Sequence, residues 1–431
     1  MRFFYLILLL FLTKLVAGFD VDSYAKSEVT SISFFNKLSI HNNQVLIEMP
    51  FAKEIILNKE QKKQLQERVI VKIELVYTRF KTSEKFNQTE LNKKRLLELK
   101  KLVPEVFDFP VWEYQLISQN NGNSREECSK MFHGFIITFR PLSTDAYAQQ
   151  ESDYVKQLVS NLSKIDSLAK DTTPKPYHIK TRWENGYVYD TIWGEEKKID
   201  FYPPPPPNPY LASLKEDSTV LNAFSRNKNW TNFIVVTDAT GSMSPYYTQV
   251  LTWLRQQLNN ENARLFVFFN DGDRKPSDKK LLLETGGIYV TTERSYEMVS
   301  QTINKCISGG AGGGETKEND VEAMLLGLKH YPEAKNIVLI ADNYEKMRDY
   351  EFMDKITIPV HIFLCGADRF INLQYLDLAR VTKGSVHTKN EDIYNLYQLK
   401  EGEVVTIENR DYMLKNGVFT FYNSSKSILY N

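Results

Sequence analysis

Cysteine is scarce in this chain: Cys128, Cys306 and Cys365 are the only three in 431 residues. A disulfide-stapled scaffold carries more, and in even number, so the fold must rest on a hydrophobic core. None of the three lies in a C-x-x-C pair, which removes the commonest structural zinc patterns. Cys365 closes the apolar run Val360-His361-Ile362-Phe363-Leu364 and reads as a buried free thiol. An excess of one charge is also lacking, since 54 basic residues balance 54 acidic ones; no overall field favours nucleic acid or an anionic membrane. A local basic stretch, Lys93-Lys94-Arg95 with Lys100-Lys101, falls in a helical pattern and reads as a solvated helix face. The six histidines are scattered, at 41, 133, 178, 330, 361 and 387. No H-E-x-x-H zinc site, G-x-S-x-G elbow or dinucleotide fingerprint accompanies them, which argues against an enzyme.

Long apolar runs are lacking after the first eighteen residues. Those eighteen differ from the rest: Arg2 precedes an apolar run at 3–12, and Val16-Ala17-Gly18 supplies small residues at a cleavage position. This is the form of a secretory signal peptide, too short and too interrupted by Lys14 to span a bilayer comfortably. The expectation is an exported protein, periplasmic or at the cell surface, with no transmembrane segment after signal removal.

Proline, by contrast, is concentrated. Pro203 to Pro207 are consecutive and Pro209 follows, a stiff polyproline rod that reads as a spacer. Before it, residues 19–200 show a smaller α+β pattern: a strand near 69–77, a helix at 89–103 stopped by Pro104, strands at 111–117 and 135–139, a capping box opening at Ser124, and a hairpin at 183–193 turning on Asn185-Gly186. After the 201–210 linker, residues 211–400 change character. Apolar runs at 233–236, 265–269, 337–340 and 360–364 alternate with amphipathic stretches, which predicts an α/β fold: a doubly wound, mostly parallel sheet with helices on both faces. Residues 401–431 read as a C-terminal extension. Such a sheet places ligand sites at the carboxyl ends of its strands.

Directly after the first of these runs stand Asp238, Thr240 and Ser242, at i, i+2 and i+4, with Gly241 between the hydroxyls and Ser244-Pro245 as an expected helix start. Carboxylate and hydroxyl oxygens without imidazole or thiolate select hard cations. The pattern Asp-x-Thr-Gly-Ser resembles the metal-ion-dependent adhesion site of von Willebrand factor type A (vWA) domains. Two further elements of that family fall in order: Thr316 after Gly312-Gly313-Gly314-Glu315, and Asp342 ending the run Ile337-Val338-Leu339-Ile340-Ala341. Asn343 stands where the family more often has glycine. The resemblance covers about 231–397.

The resemblance implies a divalent cation, Mg²⁺ first with Ca²⁺ or Mn²⁺ as alternatives. Thr240, Ser242 and Thr316 would contact it directly or nearly so, and Asp238 and Asp342 would hold it largely through water. It further implies a protein ligand whose carboxylate completes the ion's coordination, hence an exported adhesion or scaffold protein. Asp271 and Asp273, expected on the same sheet edge, read as a solvated turn, with an outer-shell charge as the alternative. The competing readings are a structural envelope protein that works without metal and a Mg²⁺-dependent hydrolase.

Overall fold

The computed structural model describes residues 21–51, 53–79, 86–107, 112–140, 144–169, 177–183, 187–193, 217–257, 262–310, 317–368 and 370–422. The first eighteen residues, the 201–210 proline run and Thr316 lie outside them.

Five strands form the first sheet: β1 (Val29–Ile32), β2 (Gln44–Glu48), β3 (Ile70–Thr78), β4 (Glu113–Gln119) and β5 (Gly134–Phe139), ordered β1-β4-β3-β5-β2. β1, β4 and β3 run parallel, while β5 and β2 run antiparallel to their neighbours. Helices α1 (Val21–Ala25), α2 (Lys59–Glu67), α3 (Gln88–Leu102) and α4 (Arg125–Lys130) belong to this part. The start of α3 and the expected start at Ser124 are both held by side-chain caps. Asn87 accepts the Glu90 N–H at 3.1 Å and Ser124 accepts the Glu127 N–H at 3.1 Å, each satisfying an orphan donor of the first turn. The basic stretch on α3 is not wholly solvated. Lys93 pairs with Asp22 at 2.6 Å, and burial lowers the Arg95 guanidinium to about 10. Strands β6 (Tyr177–Trp183) and β7 (Tyr187–Trp193) pair antiparallel as a separate ribbon, longer than the hairpin the sequence suggests.

The second sheet has seven strands: β8 (Phe233–Asp238), β9 (Ala263–Phe269), β10 (Ile288–Thr291), β11 (Asn336–Asp342), β12 (Val360–Cys365), β13 (Ser385–His387) and β14 (Asp392–Ile393). Their order is β10-β9-β8-β11-β12-β13-β14, and only the edge strands β10 and β14 run antiparallel. The α/β architecture with a mostly parallel sheet is therefore as expected. β10, β13 and β14 are only four, three and two residues long, too short for periodicity to announce them.

Helices cover both faces: α5 (Asp145–Ala169), α6 (Thr219–Arg226), α7 (Tyr247–Gln257), α8 (Tyr296–Gly309), α9 (Asp320–His330) and α10 (Leu373–Val381). Strand residues alternate between them. Ile234, Val236 and Leu339 join the core under α9 and α10; Phe233, Val235 and Val338 join the core under α5, α6, α7 and α8. Ser244 does not open a helix. Gly241–Tyr246 continues as a 3₁₀ turn with Pro245 inside it, and α7 starts at Tyr247. A three-stranded meander, β15 (Val404–Ile407), β16 (Arg410–Lys415) and β17 (Val418–Tyr422), follows. Its Ile407, Tyr412, Leu414 and Phe419 are buried in the α9 and α10 core, so the C-terminal segment is built into the second unit.

The core does not divide at the proline run. α5 precedes that run in sequence, yet its Tyr154, Val155, Leu158 and Leu162 are buried with residues of α7, α8 and the second sheet. Side-chain hydrogen bonds pin it further: Ser152 donates to Asn304 Oδ1 at 2.7 Å and Ser308 donates to Ser152 Oγ at 3.1 Å. Each large apolar side chain buried this way is worth about 1.5–3 kcal/mol. Leu158→Ala should therefore destabilise the second unit by about 2–5 kcal/mol, the range of a core cavity, measured by chemical denaturation of the full chain. A change within about 0.5 kcal/mol, typical of a surface position, would show that α5 is not part of this core.

Candidate functional site

The chain runs β8 to β9 to β10 in one direction and then returns, at β11, to the other side of β8. Ligands of open α/β sheets bind in the crevice at such a reversal, beyond the strand carboxyl ends. Thr237 of β8 pairs with Ile340 of β11, so Asp238 and Asp342 end adjacent strands at one edge. The two carboxylates are arranged alike. Asp238 Oδ1 accepts the Thr240 N–H at 2.7 Å and Asp342 Oδ1 accepts the Tyr344 N–H at 2.8 Å, while Oδ2 of each is buried without a hydrogen-bond partner. Thr240 Oγ1 lies 3.1 Å from Ser242 Oγ. The structure thus brings together four of the five residues expected from the sequence; Thr316 lies outside the described residues.

Asn343, the departure from the resemblance, has a local role. Its N–H donates to Cys365 O at 3.0 Å, its side chain donates to Phe370 O, and its Oδ1 accepts the Asn372 N–H at 2.7 Å. An amide here ties the loop after β11 to the segment leading into α10, which glycine could not do.

Four site residues were not read from the sequence. Glu318, just before α9, is buried and held in place through its backbone. Its N–H donates to Lys346 O at 3.0 Å and its carbonyl accepts the Arg348 N–H at 2.6 Å. Glu345 adds a further nearby negative charge. Arg140 comes from the other unit. It directly follows β5, its N–H donates to Val69 O at 2.8 Å, and its Nη1 lies 3.8 Å from Glu318 Oε1. Glu151 comes from α5 and is buried over Gly241: a Cβ built on Gly241 would lie 2.7 Å from Glu151 Oε1. The stripe Ala148, Glu151, Ser152, Val155, Leu158, Leu162 has helical spacing, but two polar members hid it from a reading based on apolar residues.

Electrostatics follow from this burial. Desolvation, then the Asp342 charge, push the Asp238 carboxyl up, while Thr240 and Arg140 oppose the shift. Desolvation, then Asp238, likewise raise Glu318. Desolvation holds Glu151 at about 8, with Arg140 pulling down and Asp238 pushing up. Burial works against the Arg140 charge, but Asp342, Glu318, Glu345 and Asp238 outweigh it and hold the guanidinium above its ordinary value. One guanidinium faces more carboxylates than it can neutralise.

Do these residues fit a cation? Orphaned buried oxygens on Asp238, Asp342, Glu318 and Glu151, with two hydroxyls beside them, form an all-oxygen donor set suited to Mg²⁺, Mn²⁺ or Ca²⁺. Among the described residues, no three acidic, histidine or cysteine side chains stand close enough to hold an ion by themselves. The hydroxyls would therefore have to serve as ligands, with most of the carboxylates acting from a greater distance.

Asp271 and Asp273 are not a solvated turn. Asp271 is buried with Lys280 at 3.5 Å, and Asp273 accepts from Tyr289 Oη at 2.9 Å and Asn270 Nδ2 at 3.0 Å. Elsewhere, Ser385 Oγ lies 2.6 Å from His387 Nε2, and His387 Nδ1 lies 2.7 Å from Asp392 Oδ1, the hydrogen-bond order of a hydrolytic triad. Ser385 and His387 are fully buried, however, and Ser385 Oγ also lies 2.7 Å from His361 Nδ1. The group fastens β12, β13 and β14 together and offers no nucleophile to a substrate. All three cysteines are buried free thiols, and among the described residues no helix is long and apolar enough to cross a membrane.

No protein-family model, curated protein or solved structure matches this chain.

The buried histidines give a pH signature. Burial, then His387, lower His361 to about 3, whereas an unfolded imidazole titrates near 6.5. Between these values the unfolded state binds the extra proton. Acidification below about pH 6.5 should therefore cost up to about 1.4 kcal/mol per pH unit at this residue. The raised carboxylates act in the opposite direction, so the variant difference is the measurable quantity. The melting temperature of the wild type should fall more steeply from pH 6.5 to 4.5 than that of His361→Gln, and parallel profiles would contradict this assignment.

Proposed function

We propose that the second unit is a vWA-type domain that binds a divalent cation, Mg²⁺ first, through Asp238, Thr240, Ser242, Thr316 and Asp342. In the loaded state it holds a carboxylate of a protein segment. The observation that carries this reading is the pair Asp238 and Asp342: two carboxylates on adjacent strand ends at the sheet's reversal, each fixed through one oxygen by a loop N–H and each with the other oxygen buried and unpaired. The Gly241 turn brings the Thr240 and Ser242 hydroxyls to the same place. A cation bound there supplies the positive charge that a neutral hydroxyl set lacks and that an anionic ligand requires. We extend the proposal to an exported, non-enzymatic binding or scaffold role, on the charged start and short apolar run of the first eighteen residues.

Addition of Mg²⁺ or Mn²⁺ at a hundredfold excess over Kd should stabilise the protein by roughly 2.7 kcal/mol, read as a rise in melting temperature. Asp238→Ala and Thr316→Ala should each abolish that rise while folding normally. A full metal-induced rise in Asp238→Ala would overturn the site. The second reading, a structural unit that works without metal, is favoured by Arg140, which already balances part of the charge; it predicts no rise in the wild type with any of the three cations. Export is checked separately. N-terminal sequencing of protein made in its own host should begin near Phe19, and a chain still starting at Met1 would remove that part of the proposal.

A further inference from the structure

We infer that the carboxylate held by the loaded site is supplied in cis, by Glu151 of α5, so that the cation joins the chain to itself. This rests on the cation reading above and names the partner of that same site. The first ground is access. Asp238 is 1% exposed, Asp342 2%, Ser242 3% and Thr240 9%, so they offer almost no surface to another protein, whereas Glu151 of α5 already lies against the Gly241 turn among them. The second is that α5 is not a removable cover. Tyr154, Val155, Leu158 and Leu162 fix it in the core, and Ser152, adjacent to Glu151, is hydrogen-bonded to α8. The third is placement. Glu151 lies directly over Gly241, between the two hydroxyl-bearing residues, and its Oε1 is buried with no hydrogen-bond partner. A Cβ at residue 241 would lie 2.7 Å from that carboxylate oxygen, so the absence of a side chain at Gly241 lets Glu151 approach this closely. Arg140 complements this arrangement. It stands beside Glu318 and offsets part of the negative charge gathered around the site.

The consequence is structural. Arg140 is anchored on the first sheet and Glu151 lies eleven residues further on, so a cation gripped by Glu151 would hold the first turns of α5 to the strand ends of the second sheet.

The test is calorimetric titration of the full chain with Mn²⁺, for the wild type, Asp238→Ala, Glu151→Gln and Glu151→Ala, the last repeated in millimolar acetate and in acetamide. The inference expects Mn²⁺ binding by the wild type, none by Asp238→Ala, and at least tenfold weaker binding by both Glu151 variants. It also expects acetate, but not acetamide, to restore affinity in Glu151→Ala, because only a free carboxylate replaces the missing ligand. Acetate should leave the wild type unchanged. Glu151→Gln within twofold of the wild type overturns the inference and leaves the cation site standing. Weakened binding without acetate rescue also overturns it, assigning Glu151 a packing role. No Mn²⁺ binding by the wild type removes the cation reading and this inference together.

Discussion

The burial of several carboxylates at one sheet edge is the constraint around which the rest of this molecule is arranged. Asp238, Asp342, Glu318 and Glu151 come from β8, β11, the start of α9 and α5, and all are withdrawn from water. Removing an ion from water costs several kcal/mol after relaxation, and like charges gathered in low dielectric raise that cost. Protons, an internal cation or a bound cation are the available remedies. Burial favours the first by raising Asp238, Glu151 and Glu318, and the second is present, since Arg140 is held charged among them. The third is what the unpaired oxygens invite.

Arg140 reaches this edge because of chain path. β5 ends on the first sheet, Arg140 keeps a backbone hydrogen bond there, and α5 starts a few residues later against the second sheet. One short stretch thus carries a charge of each sign from one unit into the other. The two units are consequently joined by a charge cluster as well as by the chain. Loss of that cluster should be felt in both, which is unlike two domains joined by a spacer alone.

Hydrogen-bond order is a poor guide to chemistry unless access is also considered. Ser385, His387 and Asp392 have triad-like distances, yet no hydroxyl is exposed for attack, and the Arg226 guanidinium is bound to Asp392 at 2.7 Å. The same argument applies to the acidic edge. Its residues match an adhesion-site pattern, but their burial turns attention from a distant partner to the helix already lying on them.

The sequence by itself determined the parts whose signal is local. The apolar runs around Val235, Val267, Leu339 and Ile362 became central strands because residues buried on both faces must all be apolar. Asp238, Thr240 and Ser242 could be located because a strand end and a turn fix their neighbourhood within five residues. The cap at Ser124 and the buried thiol of Cys365 are local in the same sense. Tertiary structure alone decided that Glu318, Glu151 and Arg140 belong to the site, since the first stands 80 residues from Asp238 and the others precede the proline run. No periodicity marks a lone arginine after a strand, or a glutamate within a helical stripe. It also decided that Asp271 and Asp273 are engaged rather than solvated, and that the C-terminal strands complete the core. These outcomes depend on which surfaces meet, and burial changes the meaning of a charged residue that spacing leaves open.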